Sequence, residues 1–225
     1  MKISVIGTGK TGSIVVEMLG DNLAYAFDES NPPTVERLKK SDAVIIFVPG
    51  DAVAEILPLV LESGIPAAWG STGFSWPEDL ENKVQKMETK WVLATNFSLG
   101  MNIIRNAIEA ISAGSEILKE PEIKIHEIHH VHKKDAPSGT ALSWKEWLNK
   151  EAEITSAREG DVNGIHELTV STANERITLK HDALDRALFA EGAIWAAEQL
   201  LKNQNLTNGI YTFGQLFDFI TKNND

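Results

Sequence analysis

Lys2-Ile3-Ser4-Val5-Ile6-Gly7-Thr8-Gly9-Lys10-Thr11-Gly12 is the stretch on which the fold turns. A short apolar run ends in Gly-x-Gly-x-x-Gly, and Ile14, Val15, Met18 and Leu19 follow at helical spacing. Glycine patterns are common in loops, but one set between a strand and a helix start has a physical purpose. The glycines let the chain turn tightly and bring a pyrophosphate against the unpaired amides of the helix N-terminus. Gly7, Thr8, Gly9, Lys10, Thr11 and Gly12 are therefore the candidate diphosphate-binding residues.

Working outward, Leu23-Ala24-Tyr25-Ala26-Phe27 reads as a second strand ending in Asp28-Glu29. An acid there accepts hydrogen bonds from adenosine ribose hydroxyls and repels a 2′-phosphate, which favours NADH over NADPH. The alternative is a solvated turn, Asp28 to Pro33. Ala43 to Val48 reads as a buried strand, and Val53, Ile56, Leu57 and Val60 mark a helix begun near Asp51. Ile65 to Trp69 and Trp91 to Leu93 read as two more strands. Such a series gives a parallel sheet with its ligand at the carboxyl ends of the strands. Gly70-Ser71-Thr72 and Ala94-Thr95-Asn96-Phe97 follow two of those ends and are further cofactor candidates.

Composition sets the outer bounds. The chain has 225 residues, 43% of them hydrophobic, and a formal net charge of -11. Such a charge argues against nucleic-acid or anionic-membrane partners, so any anionic ligand must be met by a local basic pocket. With no cysteine, disulfides, thiolate nucleophiles and cysteine-ligated zinc are excluded. Long apolar runs are absent, and Met1-Lys2-Ile3 enters a strand without a signal-peptide pattern, so a cytoplasmic location is expected.

A second stretch carries the chemistry. His126-Glu127-Ile128-His129-His130-Val131-His132-Lys133-Lys134-Asp135-Ala136-Pro137-Ser138-Gly139-Thr140 holds four of the six histidines. Glu122 to Val131 alternates as a strand, Asp135 to Gly139 is turn chemistry, and Ala141, Trp144 and Leu148 fall at helical spacing from a start near Ser138 or Gly139. A helix start with a small hydroxyl and a glycine can cradle a carboxylate or phosphate, although Ser-Gly-Thr is also an ordinary N-cap. The preceding histidines and Lys133 would place proton donors beside the anion. Zinc is not expected, because no second carboxylate or thiol set and no His-Glu-x-x-His helix accompanies the histidines.

His129-His130-x-x-Lys133-x-Asp135-Ala136-Pro137-Ser138-Gly139-Thr140-Ala141 resembles the signature of the 4-hydroxy-tetrahydrodipicolinate reductase (dihydrodipicolinate reductase) family of lysine and diaminopimelate synthesis. Gly70-Ser71-Thr72-Gly73 is similar to that family's Gly-Thr-Thr-Gly loop, Asn96-Phe97-Ser98 to its Asn-Phe-Ser segment, and Arg158 to Glu167 to a further segment. The resemblance covers nearly the whole chain. Its departures are a short connection between Asp28 and Asp42 and the lack of an arginine in the glycine loop, where Lys10 is the nearest basic residue.

The resemblance implies an α/β fold, a Rossmann-type nucleotide domain (1-97 and 187-225) plus an α+β substrate and oligomerisation domain (98-186). It implies NADH or NADPH as cofactor, a small dicarboxylate substrate and a homotetramer. His129 would be the acid/base residue and Lys133 the proton donor, with His130, Ser138, Gly139 and Thr140 binding substrate. Two other readings stay open: a nicotinamide oxidoreductase acting on an amino acid or semialdehyde, and a non-catalytic NADH sensor.

Overall fold

The computed structural model describes residues 1–222 and divides into two compact units, Met1–Ser98 with Ala187 onward, and Leu99–Arg186. The first unit begins β1 (Ile3–Ile6), α1 (Gly12–Leu19), β2 (Leu23–Phe27), α2 (Val35–Leu38), β3 (Ala43–Ile46), α3 (Gly50–Ser63), β4 (Ala67–Trp69), α4 (Leu80–Lys86) and β5 (Lys90–Leu93). The second unit follows as α5 (Leu99–Ser115), β6 (Glu122–His129), α6 (Gly139–Leu148), β7 (Glu153–Arg158), β8 (Ile165–Ser171) and β9 (Arg176–Asp182). The chain then returns to the first unit with α7 (Ala187–Lys202), β10 (Gly209–Thr212) and α8 (Phe213–Lys222).

The first sheet is parallel throughout, in the order β10-β5-β4-β3-β1-β2. β1 and β3 are buried at every residue, which is why their sequences are apolar rather than alternating, save for Ser4, whose hydroxyl is paired with that of Ser41 at 2.6 Å. The strand order reverses between β1 and β3, and the carboxyl ends flanking such a reversal form the crevice where α/β sheets bind ligands. On one face α7 approaches through Ala190, Gly192, Ala193, Ala196 and Ala197, all buried. These small side chains let backbones come close: a Cβ on Gly192 would lie 1.7 Å from the carbonyl oxygen of Phe97. On the apolar core side, Trp69 stacks at a tilt on Trp91, with centroids 5.6 Å apart.

The second sheet has the order β7-β6-β8-β9, with β6 and β7 parallel and the other pairs antiparallel. One face is covered by α5 and α6. Ile125, Leu168, Met101, Ile104, Ile108, Trp144 and Leu148 form that core.

Several element limits differ from the sequence reading. β3 stops at Ile46 rather than Val48, because Phe47 and Val48 leave the sheet to line a cleft. β4 starts at Ala67 rather than Ile65; Pro66 has no N–H to give a ladder. β6 ends at His129 rather than Val131, where the chain turns and the Val131 amide bonds the Gly160 carbonyl at 3.1 Å. α4 and β7 lie where no element was read.

Candidate active site

The glycine turn is shaped by contacts that only a missing side chain allows. Gly7 has φ +89°, and a Cβ on it would meet the Phe47 carbonyl oxygen at 2.2 Å. A Cβ on Gly12 would meet the Gly7 carbonyl oxygen at 1.8 Å, so α1 packs directly on the turn. Gly9 differs: around its Cβ position nothing lies within 4 Å. Two glycines thus close the turn, and the third leaves open space beside the start of α1, as a docking pyrophosphate requires.

That space belongs to a cleft of ≈ 720 Å³ lined by Ile6 to Gly9, Asp28 to Ser30, Pro32, Pro33, Phe47 to Pro49, Ala52, Glu55 and Ile56. It lies at the reversal of strand order. The Asp28 carboxylate accepts from the Ser30 hydroxyl at 2.7 Å, the Ser30 amide at 2.9 Å and the Asn31 amide at 3.1 Å. The Ser30 hydroxyl bond, with the amide bonds and a longer one from Thr8, holds the acid below the ordinary carboxylate range. Asp28 is thus ionised and fixed at the end of β2. The cleft lining contains Asp28, Glu29 and Glu55 and no Lys or Arg.

Successive strand ends are laced together along the same edge. The amide of Gly7 bonds the Phe27 carbonyl (2.9 Å), Phe47 bonds Ile6 (2.9 Å), Gly70 bonds Ile46 (2.8 Å) and Ala94 bonds Trp69 (2.9 Å). Gly70 to Thr72 and Ala94 to Phe97 therefore stand in a row with the glycine turn, although they do not line the cleft itself. Lys10, Thr11 and Gly12 do not line it either, and Lys10 is exposed. Phe97 is core: its ring packs edge-on against Phe47 and Phe213, at 5.9 and 5.0 Å.

In the second unit, β6 turns Ile125, Glu127 and His129 to the covered face. Glu127 is 0% exposed and sits at the centre of a polar cluster. Its two carboxylate oxygens accept from the Ser138 amide, each at 3.1 Å. Arg158 donates to one at 3.2 Å. The other faces His129 Nδ1 at 3.5 Å and His166 Nε2 at 3.7 Å. Burial pushes the Glu127 carboxyl up, but hydrogen bonds from Ser138 and Ser156 and the His129 charge outweigh it, so it is held below the ordinary range.

The histidines are driven the other way. Burial lowers His129, with Glu127 opposing and Lys133 and Arg158 adding to the fall. His166 is pushed down to about 4, chiefly by burial and then by His129. Both rings are therefore neutral at neutral pH, beside an ionised carboxylate.

Ser138 N-caps α6, its hydroxyl accepting from the Ala141 amide at 3.2 Å. The same hydroxyl lies 3.2 Å from His166 Nε2. Ser138 is 1% exposed, so its amide and hydroxyl are engaged inside the protein. The amides of Gly139 and Thr140, in the first turn of α6, have no intrahelical acceptor, and a helix start of this kind suits an anion. Lys133 Nζ pairs with Asp135 at 2.9 Å. Arg158 also donates to the carbonyls of Lys133 (3.3 Å) and Asp135, which ties the β6–α6 connection to β7. His130 is half-buried and His132 exposed, so the histidine cluster splits, with His129 alone facing Glu127.

Glu127, His129 and His166 present ligand atoms within 4.8 Å of one another. The donor set suits a divalent metal, but Arg158 neutralises Glu127 and the Ser138 amide occupies both its oxygens, so a cation would have to displace both.

A glycine turn opening on a cleft at a reversal of strand order in a parallel sheet defines a protein of the Rossmann class. Residues 100–217 match the family model described as dihydrodipicolinate reductase, C-terminus. The chain is 33% identical to 4-hydroxy-tetrahydrodipicolinate reductase of Bdellovibrio bacteriovorus over 91% of its own length and 92% of the relative's. To that of Methanosarcina barkeri it is 31% identical, over 94% and 97%. The fold also matches a dipicolinate-bound dihydrodipicolinate reductase from Paenisporosarcina sp. TG-14, with a TM-score of 0.74, 18% identity and coverage of 94% and 97%. The chain belongs to the dihydrodipicolinate reductase family.

Proposed function

We propose that this chain reduces 4-hydroxy-tetrahydrodipicolinate to tetrahydrodipicolinate in lysine and diaminopimelate synthesis, using NADH in preference to NADPH. The first unit holds the dinucleotide and the second the substrate. One observation carries the reading: within the second unit, a single strand-to-helix connection joins buried His129, Lys133 and the first-turn amides of α6. A dicarboxylate needs such an anion site of its own. The reduced nicotinamide supplies the hydride when bound.

The residues of the chain supply the rest. Gly139 and Thr140 amides, with His130, hold a substrate carboxylate at the positive end of α6. Lys133 Nζ, oriented by Asp135, gives a proton to the carbon left electron-rich, and His129 exchanges protons beside it. In the net change a hydride and a proton enter and the hydroxyl leaves as water. Holding the anion fixes the reacting carbon against the acid, and such positioning is worth several kcal/mol of barrier, of order 7–11 at best.

The cofactor preference follows from charge. A 2′-phosphate would enter a cleft lined by Asp28, Glu29 and Glu55 without a cation, whereas two ribose hydroxyls can donate to the ionised Asp28. Assembly as a homotetramer through the second sheet and a cytoplasmic location belong to the same reading. Among the described residues no helix is long and apolar enough to cross a membrane.

The test is cofactor oxidation followed at 340 nm, a wavelength chosen for reduced nicotinamide, with substrate made in the cuvette from pyruvate and aspartate semialdehyde by a synthase. Substrate-dependent oxidation, faster with NADH and inhibited by pyridine-2,6-dicarboxylate, is the expected result. NADH binding without oxidation would reject the assignment.

A further inference from the structure

We propose that Glu127 is the positioning residue of this site: one buried carboxylate sets both the Nδ1 side of the His129 ring and the N-terminus of α6. The proposal rests on the function given above, since it concerns the same site. It begins with what a buried acid costs. On β6 the same face carries Ile123 and Ile125, and a hydrophobic residue at 127 would continue that face. Replacing buried ion pairs by packed apolar residues is often neutral or stabilising. The charge at 127 therefore has a use other than stability.

Its contacts show the use. Ser138, the N-cap of α6, has its amide on both Glu127 oxygens, so the carboxylate fixes where the helix and its first-turn amides begin. Arg158 bonds Glu127 and also the Lys133 and Asp135 carbonyls, so the same pair fixes the segment carrying Lys133. His129 Nδ1 is buried and, among the described residues, makes no standard hydrogen bond. The Glu127 oxygen 3.5 Å away is the anion facing it, and catalytic hydrogen bonds are often long before substrate arrives.

A buried imidazole N–H directed at a carboxylate fixes the tautomer. The proton sits on Nδ1, and Nε2 becomes the atom that exchanges protons with a ligand. Gly164 leaves that edge unblocked by a side chain: a Cβ there would stand 3.1 Å from His129 Nε2. The charged and titratable groups acting on His129 are Glu127, Lys133, Arg158 and Asp135, and the His166 ring lies edge-on to it at 5.0 Å.

The experiment uses the full chain labelled with [¹⁵N]histidine. Correlation spectra report which ring nitrogen carries the proton, and the His129 signals are assigned by their loss in His129→Gln. The expected result is the Nδ1–H form of neutral His129. Kinetically, Glu127→Gln should lower kcat by about 10- to 100-fold, the scale of loss on removing the partner that orients a histidine in metal sites. NADH affinity should not change, and the pH limb belonging to His129 should move to lower pH, because the carboxylate charge no longer favours the imidazolium. Glu127→Asp should recover part of the rate. The Nε2–H form in the unaltered protein overturns the proposal, even if Glu127→Gln fails to fold. So does a folded Glu127→Gln variant with an unmoved pH limb. The spectra do not depend on turnover, so an unaltered protein that oxidises no cofactor would reject the functional reading while leaving this relation separately decided.

Discussion

Gly9 and Gly12 stand in one turn yet should respond to alanine in opposite ways. At Gly12 the new methyl would fall 1.8 Å from the Gly7 carbonyl oxygen and 2.9 Å from its carbon. Both are backbone atoms, so the turn or α1 must move by more than an ångström. Overpacking of this kind costs about 1–3 kcal/mol, which at roughly 2–4 °C per kcal/mol lowers Tm by about 2–12 °C. At Gly9 the methyl meets nothing within 4 Å, so Tm should stay within a degree or so. It does, however, project into the space left for a diphosphate. Losing one charge-assisted hydrogen bond there costs about 1.5–3 kcal/mol, or roughly 10- to 150-fold in NADH Kd. Thermal melts by circular dichroism and NADH titration by tryptophan quenching read the two effects separately. A Gly9→Ala protein that binds NADH like the parent would refute the placement of the diphosphate, and an unchanged Tm for Gly12→Ala would refute the packing argument.

Other consequences can be checked independently. His129→Gln and Lys133→Ala should each lower kcat by about 10²–10⁴-fold, the contribution of a positioned acid or base, with NADH affinity intact by titration; an equal loss of NADH affinity would show that these residues act elsewhere. Asp28→Ser should weaken NADH binding while raising the ratio of NADPH to NADH turnover, since the like charge facing a 2′-phosphate is gone; an unchanged ratio would place specificity elsewhere. His166 gives a pH dependence of stability. Its folded pKa of about 4 lies below the unfolded value, so between pH 6.5 and 4 the unfolded chain binds the proton and the folded one does not. The stability is fully present above pH 6.5 and is lost as pH falls through 4, by roughly 3 kcal/mol in total. Tm should therefore fall over that window, and His166→Gln should flatten the curve; a parallel curve would exclude His166 as the source.

The parts of the fold readable from sequence are those where one residue pattern has one physical solution. Short, mainly apolar runs at Ile3 and Ala43 are strands buried on both faces, and Gly7 to Gly12 between a strand and a helical stripe leaves little choice of turn. The start of α6 was legible to within a residue, near Ser138 or Gly139, because Ala141, Trp144 and Leu148 fall at helical spacing, and the structure makes Ser138 the N-cap. β7 was not readable: Glu153 to Arg158 is mostly polar and takes its strand form from pairing with β6. Glu127 illustrates a different limit. The alternation of β6 put it beside Ile123 and Ile125, but its worth depends on Arg158, Ser138 and His166, which approach from three other segments. His166 was quoted only as part of a family segment, and nothing local marks it as a partner of His129. The four clustered histidines looked like one group, whereas the strand period of two sends His129 inward and the turn leaves His132 in solvent.

The central claim is that this chain moves hydride from a dinucleotide to a cyclic dicarboxylate. Its most direct test uses NADH deuterated at the transferring C4 position, with the product examined by mass spectrometry. Product one mass unit heavier, formed with the parent chain and formed about 10²–10⁴-fold more slowly with His129→Gln or Lys133→Ala, is the result this mechanism requires. Bound NADH with no deuterium in any product would contradict it.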